Sequence, residues 1–143
     1  MTAADLERVY RRACYRLELP HDPLDFSIGA HNDALCDLLE DQGVRTAAFL
    51  TACNPGSRQR DTATNQAAQA ALLEAAARLG HPTLPGVAID PEGVWPDEES
   101  ALVLGIDAAG ATLLARRFGQ RALVWINTGG IPELVWVDRP PDG

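Results

Sequence analysis

The chain has no CxxC pair, no glycine-rich phosphate loop, no catalytic triad motif and no apolar run approaching the roughly 20 residues that cross a bilayer. Each absence excludes a class of function. Cys14, Cys36 and Cys53 are odd in number and widely spaced, so they read as reduced thiols, and neither a disulfide framework nor a zinc site is expected. His21, His31 and His81 stand at turns or helix ends without a second ligand at useful spacing, so no metal and no other cofactor is expected. Basic residues are scarce. Lys and Arg total 12 against 20 Asp and Glu, a formal charge of −8, which disfavours the phosphate-neutralising surface that general nucleic-acid binding requires and makes an anionic membrane an unexpected partner. The start, Met1-Thr2-Ala3-Ala4-Asp5-Leu6-Glu7, lacks the basic-then-apolar order of a secretion signal, and the expected compartment is the cytoplasm.

What is present suits one folded unit. With 143 residues, of which 46% are hydrophobic, the chain can bury a core without staples. Thr2 caps a helix with Leu6, Val9, Tyr10 and Ala13 on one face, and residues 15–19 and 24–28 alternate at the strand period to form a hairpin. Asn32 starts a second helix, striped by Leu35, Leu38 and Leu39 and ended by Gly43. The continuous apolar runs 47–52 and 101–106 predict inner strands covered on both faces. Between them, Asp61 or Thr62 caps a long helix carrying Leu72, Ala75, Ala76 and Leu79; residues 87–89 are strand-like, and the acidic stretch 90–100 reads as a loop without regular structure. Asp107 caps a last helix with Ala111, Leu114 and Phe118, and residues 122–126 and 134–137 flank a hairpin turn at Asn127-Thr128-Gly129-Gly130. The expectation is an α+β fold, a single compact domain over residues 1–138 with a mixed or mostly antiparallel sheet and helices packed on it, followed by a flexible tail over 139–143.

The buried run 47–52 empties into Cys53-Asn54-Pro55-Gly56-Ser57, and loops held at the end of a rigid strand are common places for binding groups. Asn65 continues the buried stripe of the long helix into its first turn, facing that loop. Two readings stand for it: it satisfies the loop backbone around Asn54 and Pro55, or it lines a polar pocket with Thr51, Asn54 and Ser57. Arg58 and Arg60 beside the helix start could hold an anion, although paired arginines on a loop are also ordinary surface. Glu98 and Glu99 are either a solvated pair or the source of a general base, since one of them directly precedes a buried strand where desolvation raises its pKa. Trp95 is a packing group or a pocket wall, and Gln120 ties down a turn or reaches a ligand. Cys53 is a buried cysteine at a strand end or, with a distant histidine, a thiol nucleophile. The candidate ligand-binding set is Thr51, Asn54, Ser57, Arg58, Asn65, Trp95, Glu99 and Gln120, and no catalytic residue is assigned.

The segments Phe49-Leu50-Thr51-Ala52-Cys53-Asn54-Pro55-Gly56-Ser57, then Asn65, Trp95, Glu99-Ser100 and Arg117-Phe118-Gly119-Gln120, in that order, resemble the bacterial family called domain of unknown function 3293, from about Tyr10 to Trp136. The resemblance implies a shared fold and a site region near these motifs, and carries no activity.

Two function classes follow. One is a binding protein, or an enzyme without a legible catalytic motif, that takes a small anionic or nucleotide-like ligand in a cleft formed by the loop after the third strand, the loop around Trp95 to Glu99, and Gln120. The alternative is a non-catalytic protein-protein interaction module using its acidic surface or an exposed strand edge. A ligand site predicts a concave pocket where Asn54, Asn65 and Glu99 converge; a module predicts those groups satisfied internally and an exposed apolar patch elsewhere.

Overall fold

Both uninterrupted apolar runs lie in the middle of one sheet. A computed structural model of the chain describes residues 1–142, which form, in chain order, α1 (Ala3–Arg12), β1 (Cys14–Leu17), β2 (Leu24–Phe26), α2 (Asp33–Asp41), β3 (Ala47–Leu50), a 3-10 turn (Pro55–Ser57), α3 (Thr62–Arg78), β4 (Thr83–Ile89), β5 (Glu98–Leu104), α4 (Ala108–Arg117), β6 (Ala122–Ile126) and β7 (Glu133–Trp136). The strands make one seven-stranded sheet in the order β2-β1-β4-β5-β3-β6-β7. Every neighbouring pair is antiparallel. With helices packed on the sheet, this is a single compact α+β domain.

The missing alternation in β3 has a direct cause. β3 pairs with β5 on one side and β6 on the other, and its successive side chains enter two different cores. Ala47 and Phe49 join Leu102, Leu104 and Val124 beneath Leu35 and Leu39 of α2, whereas Ala48 and Leu50 join Val103 and Leu123 beneath Leu72 and Ala76 of α3 and Ala111 and Leu114 of α4. Both faces are therefore apolar. A side chain such as Leu72, with no exposed surface, contributes about 2 kcal/mol by burial. Thr2, Asn32, Asp61 and Asp107 each accept a backbone N–H three residues on and so start the four helices; at Thr2 the Asp5 carboxylate returns the bond to complete a capping box.

β4 begins four residues before the expected 87 and contains Pro85. The proline is tolerated because its carbonyl, and hence the side of the strand where its N–H would point, faces the end of β1, where Glu18 N–H donates to Pro85 O at 2.9 Å and β1 has already ended at Leu17. β5 begins at Glu98, so the end of the acidic stretch is strand and the loop covers only 90–97. The β6–β7 connection is longer than a tight turn. Trp125 pairs with Glu133, and the intervening loop braces the start of α2 through Asn32 N–H to Gly130 O at 3.1 Å.

The segment read as a flexible tail runs along α1 over residues 139–142: Pro140 is buried, Ala3 N–H donates to Pro141 O at 3.2 Å, and the Arg139 guanidinium lies 5.3 Å over the Trp136 ring. Gly143, its last residue, lies outside the described residues. No helix among the described residues is long and apolar enough to cross a membrane.

Candidate functional site

Antiparallel pairing brings the outgoing ends of β3 and β4 and the incoming ends of β5 and β6 together at one end of the strands, and α1 closes over them. Beneath α1 lies a cavity of about 80 Å³. Its floor is apolar, made by Tyr15, Phe49, Ala88 and Val124, with Phe49 and Phe26 packed about Tyr15 at centroid distances of 5.4 and 5.5 Å. The floor depends on Gly86, where a Cβ would come within 2.6 Å of the Phe49 ring and 2.9 Å of Arg16 O. Polar side chains line the cavity as well, Tyr10, Asn54, Ser57, Trp95, Glu98 and Gln120 together with Thr51, Asp90 and Ser100.

Glu98 is the acid of this cavity. Its Oε2 accepts from Asn54 Nδ2 at 2.7 Å. Burial pushes its carboxyl above the ordinary carboxylate range, while the Asn54 amide and the Trp95 indole favour the charged form. Tyr10 lies close by with its phenol pushed up to about 12, chiefly by burial and then by the Glu98 charge, so it remains a neutral hydroxyl. Burial raises the Cys53 thiol as well, the reverse of what an activated nucleophile needs.

Two side chains organise the loops around the acid. Asn54, 5% exposed and in the left-handed conformation at φ 47°, donates to Glu98, accepts at Oδ1 from Arg60 N at 2.8 Å and from Asn65 Nδ2 at 2.9 Å, and gives its own N–H to Asn65 Oδ1 at 2.9 Å. The same loop is tied to the turn before β6: Gly56 N–H donates to Gly119 O at 2.8 Å, Gln120 Nε2 to Cys53 O at 3.0 Å and Arg121 Nε to Gly56 O at 3.3 Å. Asp90, its side chain 2% exposed, holds the 90–97 loop. Its carboxylate accepts from Arg12 Nε at 3.0 Å, Arg12 Nη2 at 2.9 Å, Glu92 N at 3.1 Å and Trp95 N at 2.9 Å. The Arg12 guanidinium, aided by those backbone donors, brings its pKa down to about 2.

Of the residues singled out from sequence, Thr51, Asn54, Ser57, Trp95 and Gln120 line this one cavity, and Arg58, Asn65 and Glu99 do not. Asn65 is spent on Asn54 and on Arg60 O. Arg58 is exposed and belongs to an adjoining concavity with Met1, Leu6, Gly56, Ser57 and Arg121. Glu99 is turned away by strand alternation; only its carbonyl takes part, accepting Thr51 Oγ1 at 2.6 Å, while Glu98 faces the cavity. Starting β5 at the first glutamate of the pair would have found this, because Glu98, Ser100, Leu102 and Leu104 then fall on one face. Tyr10 was legible only as part of an apolar stripe, and the Asp90 anchor gave no local signal. Gln69 was also missed: it is 2% exposed, its Oε1 accepts Ala52 N at 3.0 Å, and its Nε2 is the one buried side-chain polar atom without a partner among the described residues.

The family model described as protein of unknown function DUF3293 matches residues 50–123, just over half of the chain. The chain belongs to this family. The matched span is narrower than the resemblance from Tyr10 to Trp136; it includes the Asn54 loop, α3, the 90–97 loop, Glu98 and Gln120, and excludes α1. No curated protein and no solved structure matches the chain. The DUF3293 assignment brings no chemistry with it, so function rests on the cavity.

Proposed function

We propose that this DUF3293 protein binds a small molecule in the cavity beneath α1. The observation that carries the reading is the meeting of a half-buried acid, Glu98, with Asn54, Ser57, Trp95, Gln120 and Tyr10 in an open space walled in large part by apolar side chains. Such a mixture of apolar wall and few polar groups is the usual make-up of a ligand pocket. Size narrows the ligand. A cavity of about 80 Å³ admits roughly five to eight water-sized groups, far fewer atoms than a nucleotide carries. An anionic part of a ligand has its natural partners outside the cavity, at Arg58 and Arg121 in the adjoining concavity.

A thermal-shift screen of small metabolites against the wild type and Ala88→Leu tests the reading, because the larger side chain fills the cavity floor. Hits should stabilise the wild type and lose their effect on the variant. Hits that act equally on both, or no hit at all, would sink it. The interaction-module alternative draws on the internal pairing of Asn54 with Asn65 and on the open sheet edges at β2 and β7, and becomes the better reading if the screen is empty.

A further inference from the structure

We infer that the ligand of this cavity is a small primary ammonium compound whose charged head pairs with the Glu98 carboxylate. The inference rests on the cavity being a ligand site and adds the chemistry that it selects. A carboxylate partly withdrawn from water gains from a cation, and Glu98, half-buried and held by the Asn54 amide at 2.7 Å, has no salt-bridge partner among the described residues. Met1 also lines the cavity, but its α-ammonium makes no salt bridge to Glu98 among the described residues. The chain contains no lysine. Arg12 is held by Asp90 and Glu92, and Arg121 turns its Nε to Gly56 O and its Nη1 toward Asp138.

The remaining groups favour a donor-rich head over an anion. Asn54 Nδ2 already donates to Glu98, and Gln120 Nε2 to Cys53 O and Phe118 O, so Gln120 has only its carbonyl oxygen left to offer. Ser57 adds a hydroxyl that can accept. Trp95, Tyr10 and Tyr15 line the same space, and aromatic faces attract ammonium ions. A second carboxylate would instead meet Glu98 as a like charge. The apolar floor around Phe49, Ala88 and Val124 then takes a short hydrocarbon body.

Butylammonium, butanol and butyrate, similar in shape and different in head group, test this by thermal shift and titration calorimetry on the wild type and Glu98→Gln, whose folding is checked by urea unfolding. Butylammonium should stabilise the wild type most and bind Glu98→Gln roughly tenfold or more weakly, as a charge-assisted bond becomes a neutral one. Butanol should distinguish the two variants little. If butanol or butyrate binds and butylammonium does not, or if butylammonium binds both proteins alike, the ammonium inference is overturned while the cavity stands as a site. If no probe binds and the metabolite screen is also empty, both fail together.

Discussion

Asn54 and Asn65 grip each other reciprocally: Asn65 Nδ2 donates to Asn54 Oδ1 and Asn54 N–H donates to Asn65 Oδ1, both at 2.9 Å. The pair fastens the left-handed turn after β3 to the first turn of α3, and so fixes the amide that reaches Glu98. Asn65→Ala removes the acceptor of a backbone N–H in a residue only 5% exposed. The expected loss in urea unfolding is about 1–3 kcal/mol, the usual penalty for orphaning a buried polar group. A loss within about 0.5 kcal/mol, the range of ordinary surface changes, would show that the turn holds without it.

Glu98 gives a pH signature. Its folded pKa is raised above the ordinary 4.5 by burial, so the folded state keeps the proton where the unfolded chain releases it. Stability contributed by this group is therefore unchanged below about 4.5 and falls as pH climbs from there through the folded pKa. The titratable groups near it are Met1 and Tyr10 at α1, Tyr15 from β1, Cys53 after β3 and Asp90 after β4. The two phenols and the thiol are raised and the Asp90 carboxyl is lowered, so each of these moves away from the range between pH 5 and 8. Glu98→Gln retains an acceptor for Asn54 and cannot ionise, so its stability relative to wild type should increase from pH 4.5 to pH 8. A flat or decreasing difference across paired urea titrations would show that the ionised carboxylate is well accommodated.

Periodicity made the frame legible. The unbroken runs that become β3 and β5 are buried at every position from 47 to 50 and from 101 to 104, and Thr2, Asn32 and Asp107 announce their helices because capping is a local interaction. The site was legible where local chemistry marks it, in the Asn54 loop, Trp95 and Gln120. It was illegible where distant segments meet. Glu98 sits behind Pro96 and among acids, so composition reads as loop while strand pairing with Ala88 makes it β5. Pro85 hides the first half of β4 because its fit depends on where β1 ends. Arg12 and Asp90 lie at opposite ends of the sequence's first two-thirds, and nothing local pairs them.

Gly86 supports the cavity floor by having no side chain. An added Cβ meets the Phe49 ring at 2.6 Å and the Arg16 carbonyl at 2.9 Å, and the second of these is backbone that cannot swing away. Gly86→Ala should cost about 1–3 kcal/mol in urea unfolding by overpacking, despite the better strand propensity of alanine. Gly86→Ala combined with Phe49→Leu should recover part of the conflict and appear as non-additivity in a double-mutant cycle. Strict additivity would place the strain at the backbone alone.

The last prediction concerns Arg12 and Asp90, which tie the end of α1 to the loop that carries Trp95. Asp90 has its pKa lowered from 3.8 to about 2, first by Arg12 and then by the N–H groups of Trp95 and Glu92. A lowered acid contributes stability that is present above its unfolded value and lost as pH falls toward the folded one. Wild-type stability should thus decline between pH 3.8 and about 2, and Asp90→Asn should flatten that part of the curve. The two partners are not equivalent. Arg12→Met leaves a carboxylate 2% exposed without its guanidinium, whereas Asp90→Asn leaves an arginine that is 31% exposed and free to turn to water and to Glu92. At neutral pH, Arg12→Met should therefore be the more destabilising change. Both should loosen the 90–97 loop, which for Trp95 means a red-shifted, more readily quenched emission, measurable after Trp125→Phe and Trp136→Phe remove the other two indoles. Equal destabilisation by the two variants, with Trp95 emission unmoved, would mean that the ion pair decorates the loop without holding it.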